Sequence, residues 1–255
     1  MLLYFSLLAS IGLTCGLKLG FISANPKILG GDDAPDGGVK YQVSLQNVGS
    51  HFCGGSIIDE KWVVTAAHCA IDRPTRSFKV VVGINKLSDK GKEYTPDKVI
   101  IHEKYDRKLF TNDISLVKIE SGIELNNRVN PVGLPTTNIN SGETLTLTGW
   151  GRISSNGPLP NNLQIVKVTS ITTEQCKIKY SFFKQPITST HLCTRAPPQE
   201  GSCQGDSGGP LVSNGTLAAL VSWGTRSCGH SRVYPDVNTR VYSFVNWIKD
   251  TMKKN

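Results

Sequence analysis

The sequence contains no Cys-x-x-Cys pair, no internal repeat, no run of basic residues and, beyond its first residues, no long apolar stretch. Without paired cysteines, and with histidines that show no ligand spacing to them, a zinc site is the weaker reading of the cysteine content. Lysines and arginines are scattered (Lys86, Lys90, Lys92, Lys104, Arg107, Lys108, Lys167, Lys177, Lys179, Lys184), so neither a basic helix nor an RNA-binding signature forms, and nucleic acid is not an expected partner. Nothing after the N-terminus is long and apolar enough to span a bilayer, which removes the membrane as a partner. Charged residues are few, 19%, while 25 glycines and 13 prolines break the chain often; that balance excludes a coiled coil or a disordered tail and favours a loop-rich β protein. The net charge is +8, with Lys18 and Lys27 supplying two of the eight, and such a surface attracts acidic partners at long range.

What the chain does have begins with residues 1–13, almost entirely apolar and too short to cross a membrane. At the N-terminus such a run reads as a secretory signal, here without the usual positive n-region, with cleavage after Gly16 or after Ala24. Residues 1–24 are assigned to this signal and the mature product is expected to be secreted and soluble. Secretion makes the cysteines legible as disulfides. Of seven, Cys15 lies in the leader, leaving Cys53, Cys69, Cys176, Cys193, Cys203 and Cys228, for which fifteen pairings are possible.

The 255 residues suffice for one large all-β domain or two smaller ones. Alternating or β-branched runs predict strands at 41–46, 51–58, 62–65, 78–83, 97–102 and 113–119, then, after a turn-rich linker at 135–142, at 145–150, 163–171, 211–213 and 216–223. Residues 173–180 predict a helical turn. Val241, Phe244, Val245 and Ile248 recur at helical spacing and predict a terminal amphipathic helix over about 241–252.

One stretch organises the rest: Gly201-Ser202-Cys203-Gln204-Gly205-Asp206-Ser207-Gly208-Gly209-Pro210. Glycines on both sides of Ser207 allow a tight turn whose N–H groups can approach a ligand, which suits a nucleophile and an oxyanion site. A bare Gly-x-Ser-x-Gly is as often a surface turn. The strand–turn–helix elbow of the α/β-hydrolases is excluded, because strand, Asn214-Gly215 turn and strand follow, and the one downstream histidine, His230, precedes Asp236. His68 follows Thr65-Ala66-Ala67 and precedes Cys69. A lone histidine is usually a surface or satisfied core residue, but small neighbours and a pinned cysteine would hold this imidazole still in a cleft. Asp113 heads an apolar strand, where an acid is more often solvated; buried, it would need hydrogen-bond partners.

Taken together, Ala66-Ala67-His68-Cys69, Asn112-Asp113-Ile114-Ser115-Leu116 and Gly205-Asp206-Ser207-Gly208-Gly209 closely resemble the chymotrypsin/trypsin family of serine proteases. Cys53-Gly54-Gly55-Ser56, Thr148-Gly149-Trp150-Gly151 and Ser222-Trp223-Gly224 extend the likeness from Ile28 to the final helix, and Pro235-Asp236-Val237 with Thr239-Arg240-Val241 looks most like the digestive or venom chymotrypsins of insects. The resemblance implies an all-β fold of two antiparallel six-stranded barrels with a C-terminal α-helix: one barrel over about 28–134, the other over about 135–240. It implies Ser207 as nucleophile, His68 as general base and Asp113 as its orienting acid, with Gly205 and Ser207 N–H groups as the oxyanion hole. Ser222, Trp223 and Gly224 would hold the substrate backbone. The implied disulfides are Cys53–Cys69, Cys176–Cys193 and Cys203–Cys228. Residues 25–27 become a short propeptide, and cleavage of Lys27–Ile28 by a trypsin-like protease would free the Ile28 amine to pair with Asp206. With no regulatory module before Lys27, the setting expected is digestion or venom, in the gut lumen or a venom secretion.

This sequence departs from the family pattern in two places. The loop at 84–93 lacks acidic calcium ligands, so no metal and no cofactor is expected. In the specificity pocket Gly201 stands where trypsins carry aspartate, while Asp236 replaces a small wall residue and Asn238 an aromatic one. Gly201, Ser202 and Gly224 then bound a slot suited to Phe, Tyr or Leu at the residue before the cut (P1), with Asn238 expected to satisfy the Asp236 charge and Lys or Arg taking second place. The alternatives are a broad, collagenolytic or trypsin-like specificity through Asp236, or an inactive protease-like binding protein. Partners expected are protein or peptide substrates and protein protease inhibitors acting on a monomer. Asn214-Gly215-Thr216 is a glycosylation sequon on a turn.

Overall fold

The computed structural model describes residues 31–183, 185–225 and 228–255. The expected signal segment, the expected propeptide and the Lys27–Ile28 bond lie outside them. Fourteen strands form two seven-stranded sheets. Strands β2 (Gln42–Asn47), β3 (Ser50–Asp59), β4 (Trp62–Thr65), β5 (Lys79–Val82), β6 (Lys92–Tyr94), β7 (Lys98–Ile101) and β8 (Ser115–Lys118) build the first, in the order β6-β5-β2-β3-β4-β8-β7. The second takes β1 (Asp32–Asp33), β9 (Thr144–Gly149), β10 (Gln164–Ile171), β11 (His191–Arg195), β12 (Pro210–Ser213), β13 (Thr216–Trp223) and β14 (Asp236–Arg240), in the order β1-β10-β11-β14-β13-β12-β9. A β9–β10 ladder closes six of these seven into a barrel.

The first sheet is a half-barrel, with no ladder joining its edge strands β6 and β7 among the described residues, and together with the closed barrel and the terminal helix it makes the all-β fold that the resemblance implied. Only Thr95, Pro96 and Asp97 separate these two strands, and Pro96 has no N–H to donate to a ladder. Asp32 and Asp33 of β1 pair with Ile165 and Gln164 of β10. The first described strand is thus stitched to the second barrel, and the C-terminal helix reaches back to the first. A 3₁₀ turn at Val241–Phe244 leads into α3 (Val245–Lys254), so the terminal helix begins with a tighter turn and ends two residues later than its periodicity predicted. Val241, Phe244 and Ile248 are buried against Trp62, Val64, Ile114 and Leu116, with Leu217 and Leu220 alongside. This cluster is the seam between the halves.

Each half has its own core. Val43, Leu45, Ile57, Val63, Phe78, Val80 and Val117 fill the first; Leu145, Leu147, Val166, Val168, Leu192, Leu211 and Val221 fill the second. On β10 the alternation is clean, with Val166 and Val168 inside and Lys167 and Thr169 exposed. On β2 the alternate positions Gln42, Ser44 and Gln46 are polar yet buried, because the opposite half covers them. Their polar atoms are satisfied there: Thr148 Oγ1 donates to Gln42 Oε1 at 2.7 Å, Gln46 Nε2 donates to Ser44 Oγ at 3.0 Å, and Ser44 Oγ lies 2.8 Å from His51 Nδ1. Where the halves meet most closely, a Cβ on Gly54 would come 2.7 Å from Gly209 Cα, a distance only glycine permits.

Disulfides join Cys53 to Cys69, Cys176 to Cys193 and Cys203 to Cys228. The first ties β3 to the short helix α1 (Ala67–Ala70); the second ties helix α2 (Thr173–Lys179) to β11. A capping box fixes the start of α2, Thr172 Oγ1 accepting from Gln175 N–H while Gln175 Oε1 accepts from Thr172 N–H. No helix among the described residues is long and apolar enough to cross a membrane.

Candidate active site

The cleft between the halves gathers residues from four separate parts of the chain. His68 sits on α1, and the fully buried β4 and the Cys53–Cys69 bridge fix that single turn from both sides. Asp113 stands just before β8 and is 1% exposed. Its carboxylate grips His68 twice: the His68 backbone N–H donates to Oδ1 at 2.9 Å, and Nδ1 donates to Oδ2 at 2.7 Å. An ionised carboxylate only accepts, so the proton belongs on Nδ1 and Nε2 is left as the basic nitrogen. Ser222 Oγ adds a third donor to Asp113 Oδ2 at 2.6 Å, and Thr239 Oγ1 donates to the Asp113 carbonyl at 2.7 Å. The buried acid therefore has the partners that its burial demands.

Ser207 lies in the loop between Cys203 and β12. Four backbone bonds wind it: Asp206 N–H to Cys203 O at 3.0 Å, Gly209 N–H to Asp206 O at 2.9 Å, Gly208 N–H to Val221 O at 2.7 Å, and Gly54 N–H to Ser207 O at 2.8 Å. Gly208 has φ +73°, and a Cβ there would fall 2.1 Å from Thr65 Oγ1 and 2.8 Å from Gly54 O. The glycine-rich sequence is thus required both by the backbone turn and by contact with the other half. His51 Nε2 donates to the Gly205 carbonyl at 2.9 Å and turns it away from the cleft; burial pulls the His51 imidazole down to about 4, which keeps it neutral. Among the described residues neither Gly205 N–H nor Ser207 N–H has a protein acceptor. No hydrogen bond joins Ser207 Oγ to His68 in that set either, and His68 Nε2 lies 3.7 Å from Cys69 Sγ. Cys53, His68 and Cys69 bring ligand-type atoms together, but both sulfurs are consumed in the disulfide and Nδ1 is taken by Asp113, so the cluster is not a metal site.

Behind Ser207 opens a cavity of about 270 Å³, lined by Ser202, Ser222, Trp223, Gly224, the Cys203–Cys228 bridge and Asp236, with Phe110 at its rim. Gly201 is set back from it: a Cβ on Gly201 would meet Asp236 Oδ2 at 3.2 Å, so the Asp236 carboxylate fills the space in front of the glycine. The same carboxylate approaches Gly224 from the other side, its Oδ1 3.0 Å from where a Cβ would stand. Desolvation pushes the Asp236 carboxyl up to about 6, against hydrogen bonds from the Ser202 side chain and N–H, the latter at 3.4 Å. The expectation that Asn238 satisfies this charge is corrected. Asn238 Nδ2 donates to Leu192 O at 3.0 Å and Thr194 Oγ1 at 3.1 Å across the β11–β14 ladder, and only a 3.5 Å contact reaches Asp236, at its backbone carbonyl.

Asp206 is the second buried acid. Gly151 N–H donates to its Oδ1 at 2.7 Å and Cys203 N–H to its Oδ2 at 2.9 Å, yet burial still drives its carboxyl up to about 7. No cation neutralises it among the described residues. Two further residues stand at the cleft that the sequence did not single out. Phe110, with φ +51°, stacks edge-on against His68 at 5.8 Å between ring centroids. His191 on β11 holds it from across the cleft: Thr188 N–H donates to Nδ1 at 3.1 Å, which places the proton on Nε2 to donate to Phe110 O at 3.2 Å.

A family model described as Trypsin matches residues 28–248. Chymotrypsin-2 of Vespa crabro is 41% identical over 223 residues, covering 87% of this chain and 98% of its own length. Trypsin I-P1 of Gallus gallus is 40% identical over 254 residues, 98% of each chain, and Serine protease 1 of Homo sapiens is 40% identical over 234 residues, 90% of this chain and 91% of its own. Fold and likeness together define a serine endopeptidase. The chain belongs to the trypsin family.

Proposed function

We propose that Ser207, His68 and Asp113 carry peptide hydrolysis in the cleft. Ser207 Oγ attacks the scissile carbonyl carbon while His68 Nε2 takes the hydroxyl proton, and the carbonyl oxygen becomes an oxyanion received by the Gly205 and Ser207 N–H groups. Collapse breaks the C–N bond, and the leaving amine takes the proton from His68. Water then repeats the sequence on the acyl-enzyme, with His68 as base and Ser207 Oγ as leaving group. Asp113 holds the Nδ1–H tautomer throughout. The observation that carries this reading is the threefold grip on Asp113, because a buried carboxylate with these donors can only present His68 in one orientation. The Ser207–His68 contact forms when substrate settles the ring, as loosely aligned apo sites commonly tighten. A fluorophosphonate should label the activated enzyme on Ser207 and leave Ser207→Ala unlabelled; an unlabelled wild type would instead support a protease-like binding protein.

The enzyme is proposed to be secreted as a zymogen, supported by the apolar N-terminus and by Asp206, a buried acid with no cationic partner among the described residues, which the Ile28 amine would supply. Protein or peptide substrates lie along Trp223 and Gly224 as an added strand. At P1 the slot suits Phe, Tyr or Leu, because apolar area buried there stabilises by ~25 cal/mol per Å². A second reading is favoured by one observation: the Asp236 carboxylate lines the cavity with partners from Ser202 and none from the Asn238 side chain, so a P1 Lys or Arg would meet a carboxylate without a cation among the described residues. Rates on matched P1-Phe, P1-Leu and P1-Arg substrates decide between them.

A further inference from the structure

Away from the cleft, a second groove of about 590 Å³ crosses the outer face of the closed barrel, lined by Thr144, Lys167, Thr169, Arg195, Ala196, Pro197 and Arg232. Register explains the gathering. Thr144 of β9 stands opposite Thr169 of β10, and Thr169 stands opposite Arg195 of β11, so the three side chains form one row across three strands. Lys167 precedes Thr169 by two positions and shares its face. Arg232 comes from the loop before β14, which is tied to this edge where Ala196 N–H donates to Ser231 Oγ at 2.8 Å.

Three cations and two hydroxyls face the groove and no carboxylate lines it. None of Lys167, Arg195 or Arg232 forms an ion pair among the described residues; Lys167 Nζ donates to Thr146 Oγ1 at 2.6 Å. The acids Asp32 and Glu200 line a separate recess that has only Lys167 in common with this one. Arg195 Nε is buried with no acceptor, which leaves the terminal N–H groups of the guanidinium as its donors toward the groove. Leaving such a donor unmet is costly, and a charged guanidinium more so. Like charges gathered at one place are also unfavourable unless something anionic offsets them.

We propose that this groove binds a tetrahedral oxyanion, a sulfate or phosphate group. A carboxylate offers two oxygens in a plane, enough for one guanidinium fork. Donors here converge from two strands and a loop, and a four-oxygen dianion can accept from all three cations. The groove is far larger than one such ion, so the group is one borne on a larger anionic molecule. Its seat touches two loops that continue into Ser202 and Asp236 of the substrate cavity, and binding would draw these loops together.

The test is calorimetric titration of the full-length protein with sodium sulfate, inorganic phosphate, a sulfated oligosaccharide, its desulfated counterpart and a polyglutamate peptide, all at one ionic strength. The sulfated chain should bind more tightly than free sulfate or phosphate, and the desulfated chain should not bind. Affinity should fall roughly tenfold or more in Arg195→Gln and in Arg232→Gln, and stay unchanged in Lys61→Gln on the other half. Should Arg195→Gln misfold, Arg232→Gln on its exposed loop and Lys167→Gln read the same contact. Binding of only the free ions still locates the oxyanion site but overturns the larger carrier. Polyglutamate binding as tightly as the sulfated chain overturns the tetrahedral preference, and equal affinity of wild type and groove variants overturns the site. Fluorophosphonate labelling of Ser207 in the same samples reads the proteolytic assignment separately.

Discussion

Replacing Asp236 by Asn tests what the buried carboxylate does to specificity. Its rise from 3.8 to about 6 means the charged form is disfavoured in the folded chain, by about 3 kcal/mol at roughly 1.4 kcal/mol per pH unit. The cavity side of the carboxylate meets water, which screens the charge, so about 3 kcal/mol is a ceiling and about 1–2 kcal/mol a working figure. A P1 guanidinium entering the cavity would recover that energy as a charge-assisted hydrogen bond, whereas a P1 phenyl ring would not. Asp236→Asn should therefore lower kcat/KM for P1-Arg between roughly fivefold and roughly 30-fold at pH 8. For P1-Phe the change should stay within a few-fold.

The pH dependence supplies an independent arm. The ratio of kcat/KM for P1-Arg over P1-Phe cancels every ionisation common to both substrates. In the native enzyme this ratio should rise as pH rises through about 6, where Asp236 ionises, and be flat in Asp236→Asn. Stability runs the other way. Because the folded chain keeps the Asp236 proton to higher pH than the unfolded chain, this residue's contribution falls from about pH 4 to about 6 and then levels. Asp236→Asn should thus gain in Tm over wild type at pH 8 and lose that gain at pH 4. A P1-Arg rate indifferent both to the substitution and to pH would refute the argument, and the slot would then be read as purely apolar.

Trypsin treatment should yield a chain beginning at Ile28 and raise activity sharply; a most-active form beginning elsewhere removes the Ile28–Asp206 pairing. The amine, ordinarily near ~8 and raised by that pairing, should hold the active form at neutral pH and release it as pH climbs through the raised value; activity unchanged far into the alkaline range, with Ile28 acetylated or free alike, would count against it. His191→Leu should leave Phe110 O without its donor and lower kcat/KM by roughly tenfold, with the change depending on the residue next to P1, while Tm moves little; a uniform loss across substrates would mean general damage instead. Gly208→Ala should fail to reach the labelled state at all, since its methyl would overlap Thr65 Oγ1; wild-type labelling of that variant would show that the β4–nucleophile contact yields easily.

Legibility in this chain follows the chemistry of burial. Strands buried along nearly their whole length, such as β4 and β13, are visible at their full length because their apolar runs are almost continuous and are bounded by turn residues. Strands β11 and β14 were not, and both bury polar groups: His191, Thr194, Asn238, Thr239 and Arg240 lie inside, satisfied by one another and by backbone. A pattern that looks for apolar faces passes over such strands. The site divides the same way. His68, Asp113 and Ser207 announce themselves because small residues, a cysteine and glycines must surround them, and those requirements are local. What His191 does for Phe110 depends on a contact across 81 positions and leaves no local mark. Asp236 lies between these cases. Asn238 offers a polar side chain close by in the sequence, which is why a partnership was expected, but the ladder offered Asn238 better acceptors at Leu192 and Thr194. An amide that can choose between a backbone carbonyl in the ladder and a carboxylate at a cavity wall goes where both its protons are used, and the charge it leaves behind is available to a substrate.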